Sequence, residues 1–213
     1  MLKRSFDIIF SLTGLILAFP LGVVIALLIK VEDGGPIFYS QARIGKDNKV
    51  FKILKFRSMV PNAEKDIGPT LSLGNDARST KIGKRLRKSA LDELPQLINI
   101  LKGDMSFVGP RTERPEFVKK FCLEFPDFTK RNAIRPGLTG VAQVFGSHYL
   151  NFREKFKYDI WYVKNRTFFL DFYLIFLSFL VTFNSKWEVE GDKFRFLGGA
   201  LKNKIESQLN DPN

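Results

Sequence analysis

One histidine, His148, and one cysteine, Cys122, are all that this 213-residue chain offers of the two side chains most often found at metal and nucleophilic sites. A lone cysteine excludes an intramolecular disulfide and a four-cysteine zinc site, and it fits a reducing compartment. A lone histidine argues against a His-rich metal centre and against a Ser-His-Asp triad. Internal repeats, low-complexity tracts and long linkers are also absent. Acids are the other shortage: 22 Asp and Glu stand against 34 Lys and Arg, for a formal net charge of +12. That balance calls for an anionic partner, whether nucleic acid, phosphorylated metabolites or a membrane surface. The length allows one domain with an appendage, enough to bury a core. Chemistry here has to come mainly from carboxylates and cations.

Long apolar runs are present. Ile8 to Ile29 carries no charge, and as a helix it would measure about 33 Å, enough for a hydrocarbon core of about 30 Å. No small-x-small cleavage site follows, so a secretory signal fits poorly. Lys3 and Arg4 precede the run and Lys30 follows it, which gives the positive-inside rule little reason to put its ends on opposite sides. Pro20 lies near the middle, flanked by Gly14 and Gly22, where a bend is physically reasonable. A single span and a bent helix returning to the same face both stay open. A second apolar stretch, "TFFLDFYLIFLSFLVTF" (167–183), interrupted only by Asp171, is marginal for spanning and suits an interfacial or a buried helix.

Between these runs, residues 34–166 are compositionally uniform. "GPIFYSQARIGKDNKVFKILKFRSM" reads as two short strands around a polar turn, with Val50, Ile53 and Phe56 alternating with Lys49, Lys52, Lys55 and Arg57. Residues 59–80 read as a polar loop able to cover a site, "KIGKRLRKSA" as a short cationic helix, and "TERPEFVKKFCLEFPDF" as a helix ended by Pro126.

"SALDELPQLINILKGDMSFVGPR" (89–111) sets two adjacent acids before an apolar helix. Leu94, Leu97, Ile98 and Leu101 recur at helical spacing, Lys102-Gly103 supplies a stop, and Pro95 is acceptable in a first turn. The spacing predicts a helix beginning near Asp92, with Asp92 at or beside the N-cap and Glu93 in the first turn. Two readings are open on these residues alone. Acids there cap a helix and complement its dipole; the same dipole keeps a carboxylate ionised, as a nucleophile or a Mg²⁺ ligand must be.

"FYSQARIGKDNKVFKILKFRSM", "LDELPQLINILKGDMSFVGPR", "RPGLTGVAQVFG" and "KFKYDIWYVKN" follow one another behind the N-terminal apolar helix. In this order they closely resemble the bacterial sugar transferases, small monotopic phosphoglycosyl transferases, over residues 1–183. The resemblance implies transfer of a sugar 1-phosphate from a UDP-sugar to polyprenyl (undecaprenyl) phosphate, the first step of cell-surface glycan assembly. It implies a re-entrant N-terminal helix broken at Pro20, although Phe19 stands where relatives often have Ser, and a catalytic domain on the cytoplasmic face of the bacterial inner membrane.

By the same resemblance Asp92 is the nucleophile, forming a phosphosugar-aspartyl intermediate and releasing UMP before polyprenyl phosphate attacks in a second step. Mg²⁺ would sit at Asp92 and Glu93, with Glu93 a metal ligand or a proton partner. Lys55 and Arg111 match phosphate-contacting positions, Arg135 is a further candidate, and Arg85 and Arg87 are candidates for the nucleotide or lipid headgroups. Glu124 and Asp159 match acidic positions that can equally be ion-pair partners. Many relatives carry Arg-Asn after "AQV-x-G"; Ser147 and His148 follow here, which leaves the sugar unidentified.

The fold expected is mixed α/β and mostly helical. Residues 1–33 form the membrane helix, 34–185 a small catalytic domain with interfacial amphipathic helices, and 186–213 a polar tail without a readable motif. UDP-sugar, polyprenyl phosphate and membrane lipids are the expected partners, nucleic acid is not, and a homodimer is left open. The competing reading, a membrane-tethered basic protein that binds nucleic acid or anionic lipid without catalysis, explains the charge and the Lys-Phe interleaving. It leaves the acid pair, Gly-Pro-Arg and the proline-interrupted helix unrelated to one another.

Overall fold

The computed structural model describes residues 2–65, 68, 70, 76–145, 152–183 and 195–210. The chain is mostly helical with two small sheets. Helix α1 (Leu2–Asp33) comes first. An antiparallel hairpin follows, β1 (Phe38–Ile44) and β2 (Val50–Phe56), with Tyr39 opposite Lys55. Its polar turn places Asp47 and Asn48 at positive φ, a conformation these two residue types tolerate better than most. Then come α2 (Lys81–Lys88), α3 (Gln96–Lys102), β3 (Ser106–Val108), α4 (Pro115–Glu124) and β4 (Gly137–Thr139), with β3 and β4 paired in parallel. Helices α5 (Val141–Phe145), α6 (Phe152–Asn165), α7 (Phe168–Phe183) and α8 (Arg195–Asn210) complete the order. Within the expected loop 59–80, Met59 bridges to Ser79, and residues 61–65 form a turn.

Helix α1 is about 48 Å long at 1.5 Å per residue. It continues through Pro20, so the expected break is not an interruption of the helix. Pro20 is exposed and forgoes one hydrogen bond, toward the Ile16 carbonyl, a loss that apolar membrane helices accommodate. Asp7, Ser11, Ile25 and Ile29 are buried at helical spacing along one stripe, and Ile16, Leu17, Phe19, Val24, Leu27 and Val31 are exposed on the other faces. The flanking glycines belong to the buried stripe. A Cβ on Gly14 would stand 3.2 Å from Leu97 Cδ1, and one on Gly22 3.8 Å from Phe56 Cζ, so both serve close approach to the domain.

Both ends of α1 meet that same domain. At the N-terminal end Lys3 pairs with Asp171 at 2.6 Å, and Arg4 donates to the carbonyls of Ile100 (2.6 Å) and Leu101 (2.8 Å). At the C-terminal end Asp33 binds Arg57, and Glu32 accepts the backbone N–H of Ile82 at 3.1 Å.

Three apolar clusters hold the domain. Ile25 and Ile29 of α1 meet Phe56 and Leu86; Ile53 of β2 meets Leu97, Ile100 and Met105; Val108, Val141, Tyr162, Leu174 and Ile205 join β3, α5, α6, α7 and α8. Helix α7 is buried on one face only. Leu174 and Leu177 are fully buried, whereas Phe169 (84 % exposed), Phe172, Phe176 and Phe179 face outward. The polar tail also contributes to the core: α8 docks on α6, where Tyr158 donates to Glu206 (3.1 Å) and Trp161 to Gln208 (2.6 Å).

Candidate active site

The acid pair sits on a turn tighter than an α-helix. Ala90 adopts a left-handed conformation (φ 55°) at the end of α2, and Leu91–Glu93 form a 3₁₀ turn. Glu93 N–H donates to Ala90 O, Leu94 N–H to Leu91 O, and Ile98 N–H to Pro95 O, all with the short three-residue spacing. The helix proper begins only at Gln96, with Pro95 as its N-cap, and neither carboxylate caps a backbone N–H. The predicted start at Asp92 is therefore four residues early, and the state of Asp92 is set by its neighbours rather than by a helix end. Leu91 and Leu94 pack toward Phe56 and Leu86, Leu97 packs toward Ile53, and both acids lie within 4 Å of Lys55 on β2.

Lys55 and Arg111 converge on Glu93. Lys55 Nζ lies 2.5 Å from Glu93 Oε1 and 3.9 Å from Asp92 Oδ2; Arg111 donates to the same Oε1 at 3.1 Å. Asn99 sets this register from within the apolar run of α3. Its Oδ1 accepts Leu54 N–H (2.9 Å) and its Nδ2 donates to Lys52 O (2.8 Å), fastening β2 beside α3 one residue from Lys55. Arg111 is half-exposed (51 %), but its backbone is held from behind. Arg131 donates to Arg111 O at 2.6 Å and pairs with Asp159 at 2.6 Å inside the domain. Gly109 makes the crossing possible, since a Cβ there would lie 2.4 Å from Arg135 O.

The two acids differ in state. Burial pushes the Asp92 carboxyl above its ordinary range, with Lys55 pulling it back and the Glu93 charge adding to the rise. At Glu93 burial also acts upward, but Lys55 and Arg111 outweigh it and bring the carboxyl down to about 2. Asp92 is only 6 % exposed, yet its carboxylate accepts no hydrogen bond among the described residues. Glu93 is a paired anion; Asp92 is a buried carboxylate that, among the described residues, has Lys55 at 3.9 Å and no hydrogen bond. Among the described residues no three acids, histidines or cysteines gather at one point, so a divalent cation has no all-protein cage. Asp92 and the second oxygen of Glu93 fit Mg²⁺ in its usual manner, which takes one or two carboxylates with the remaining ligands from phosphate and water.

Other candidates lie elsewhere. Arg85 is exposed on α2. Its neighbour Arg87 donates to Ser58 (3.0 Å) and Ser79 (3.4 Å) and acts electrostatically on Asp92. Arg135 donates to Gly103 O at 2.7 Å, at the opposite end of α3 from the acids. Glu124 is exposed at the end of α4, and Asp159 is the buried partner of Arg131, its carboxyl raised by burial to about 6. Ser147 and His148 lie outside the described residues. Asn99, Arg131 and the Asp33–Arg57 pair were not singled out from sequence. An asparagine at a buried position of an apolar stripe, in "LINIL", is the one signal that points to Asn99.

A family model described as bacterial sugar transferase matches residues 1–185. The chain belongs to the bacterial sugar transferase family. The match takes in the acid pair, Lys55 and Arg111 and stops short of α8. Among curated sugar transferases, the chain is 42% identical over 178 residues to the UDP-N-acetylgalactosamine-undecaprenyl-phosphate N-acetylgalactosaminephosphotransferase of Aeromonas hydrophila. That alignment covers 82% of this chain and 42% of the relative. It is 40% identical over 190 residues to the undecaprenyl-phosphate galactose phosphotransferase of Salmonella typhimurium, covering 82% of this chain and 39% of the relative. It is likewise 40% identical over 194 residues to the exopolysaccharide production protein ExoY of Rhizobium meliloti, covering 83% of each. The chain thus spans about two fifths of the first two sugar transferases and most of the third.

Proposed function

We propose that this sugar transferase moves a sugar 1-phosphate from a UDP-sugar to polyprenyl phosphate through a covalent intermediate on Asp92. An Asp92 carboxylate oxygen attacks the phosphorus that bears the sugar, and the bond from that phosphorus to the bridging oxygen of UMP breaks. A phosphate oxygen of the polyprenyl phosphate then attacks the same phosphorus and displaces Asp92. Lys55 and Arg111 supply charge to the phosphate oxygens during both displacements, where phosphoryl transfer needs positioning and charge stabilisation above all. Mg²⁺, held by Asp92 and Glu93, would neutralise diphosphate charge.

The observation that carries this is the division of labour within the acid pair. Glu93 takes both cations, and Asp92 remains buried, desolvated and, among the described residues, without a hydrogen bond. A carboxylate in that state is a better nucleophile than a solvated one. A Glu93 carboxyl held near 2 is unsuited to proton transfer at neutral pH, so its part is to place the cations and to ligate metal. The relatives' names, which specify undecaprenyl phosphate and sugar phosphate transfer, support the substrate classes.

The contacts at both ends of α1 support an entry and exit on one face of the membrane, with the outward residues of α1 and the phenylalanines of α7 in lipid. The domain then lies on the cytoplasmic face of the inner membrane, where UDP-sugars are made. Purified chain incubated with UDP-sugar and no acceptor is expected to release one UMP per active site, and Asp92→Asn none. Near-wild-type turnover by Asp92→Asn refutes the nucleophile.

A further inference from the structure

The polar ends of α1 exceed what a membrane anchor requires. Asp7, only 2 % exposed, accepts the backbone N–H of Phe107 (3.1 Å) and the hydroxyl of Ser106 (3.0 Å). Lys3 donates to the Val108 carbonyl at 3.0 Å. These side chains bind β3 along the backbone that β4 leaves unpaired; β4 takes the other side, through Ser106 N–H to Pro136 O and Gly109 N–H to Thr139 O. Arg111 follows Val108 by three residues, and the Gly109 crossing against Arg135 leaves no slack between them.

The other end of α1 acts on the other cation. Both Asp33 oxygens engage the Arg57 guanidinium, one at 2.7 Å, and Arg57 Nε donates to Pro36 O at 2.5 Å. Arg57 is buried and lies two residues beyond Lys55 at the end of β2. The site thus receives one cation from the segment just after a strand fastened to the start of α1, and the other from a strand whose following residue, Arg57, is fastened to its end.

Resting on the transferase reading above, we propose that α1 is a two-ended brace for the phosphate clamp. Asp7 and Asp33 are positioning residues that fix Arg111 and Lys55 through β3 and through Arg57. An anchor alone needs only an apolar outer face, and burying a carboxylate carries a desolvation cost that anchoring does not explain. A site whose charged groups must stay within about 0.5 Å of their working geometry does explain it. Misplacement of about 1 Å costs on the order of 10²-fold in rate, so modest loosening of either end is visible in kinetics.

The test uses the full chain in lipid nanodiscs with UDP-sugar and polyprenyl phosphate. Asp7→Ala and Asp33→Ala are each expected to lower kcat/KM by roughly 10- to 100-fold, while membrane association matches wild type. Asp7→Asn, which keeps an oxygen acceptor for Phe107 N–H, is expected to stay within about threefold of wild type. Because Asp7→Ala buries an unmet N–H and can fail to fold, the more exposed Asp33 carries the second arm, a double-mutant cycle with Lys55→Met. Positioning through Lys55 requires the double variant to be little worse than Lys55→Met alone; a merely structural role makes the losses multiply. Multiplying losses, or wild-type kcat and KM in a folded Asp33→Ala, overturn the brace. A wild-type chain that turns over no UDP-sugar refutes the transferase reading and the brace with it, so the two failures differ at the first measurement.

Discussion

Replacing Lys55 by methionine removes one ammonium and keeps most of the side-chain volume. The group removed stands 2.5 Å from Glu93 and 3.9 Å from Asp92. Opposite charges 4 Å apart attract by about 4 kcal/mol at an effective dielectric near 20, before desolvation is subtracted, and a hydrogen bond to a charged group is worth about 1.5–3 kcal/mol net. Glu93 keeps Arg111 at 3.1 Å, so its own charge stays paired, and Asp92 takes up a proton more readily; the cost to stability is about 2 kcal/mol.

The cost to the reaction of Lys55→Met is larger. Losing one fixed charge partner of a reacting phosphate costs about 10²- to 10³-fold, or about 2.7–4 kcal/mol. Lys55 also lowers the Asp92 carboxyl, which burial already raises. Without it Asp92 ionises at higher pH, so the acid limb of the rate profile moves upward. Lys55→Arg keeps the charge and is expected to lose about tenfold, because its planar fork does not fit the place of an ammonium. UMP release in nanodiscs, followed from acid to neutral pH, reads both effects. A Lys55→Met enzyme within threefold of wild-type kcat/KM, with an unmoved acid limb, refutes the role given to this cation.

Two further outcomes follow from the same geometry. Asp159 binds its proton more tightly folded (about 6) than unfolded (3.8), so its contribution to stability is full below about pH 4 and is lost as pH rises through 6. The loss amounts to about 3 kcal/mol at 1.36 kcal/mol per pH unit; Asp159→Asn is expected to flatten the denaturation midpoint across that window, and parallel profiles would contradict this. Cysteines placed before Ser5 and after Lys30, in a chain without Cys122, are both expected to resist a periplasmic thiol reagent. Labelling of one end alone would mean that α1 spans the membrane.

Local pattern reached far along this chain. The alternation of Val50, Ile53 and Phe56 with lysines gave the hairpin, and "KIGKRLRKSA" gave α2. The start of α3 was misplaced because Pro95 was read as lying inside the first turn; it stands instead as the N-cap, and a 3₁₀ turn over Leu91–Glu93 precedes it. Arg135 was a candidate beside Pro136-Gly137, and its Nε donates to a carbonyl 32 residues away. No local pattern carries that information, nor the pairing of Asp33 with Arg57 or of Arg131 with Asp159. In the tail, Leu201, Ile205 and Leu209 mark the docking face of α8 at four-residue spacing, diluted by polar neighbours. The acid pair itself was legible. Which of its two carboxylates Lys55 and Arg111 reach was not, because both cations come from distant parts of the chain.

The way α1 is fastened orders events during biosynthesis. Lys3 and Asp171 are 168 residues apart, and Asp7 waits about 100 residues for Ser106 and Phe107. At synthesis rates of about 5–20 residues per second, Lys3 stays without its carboxylate for roughly 8–34 s after it is made. During that interval the apolar helix can already partition into the bilayer while its polar ends remain at the surface in water. Closing such long loops is slow, so the polar ends of α1 are satisfied only once β3 and α7 have been made, and α1 is among the last elements to be fastened.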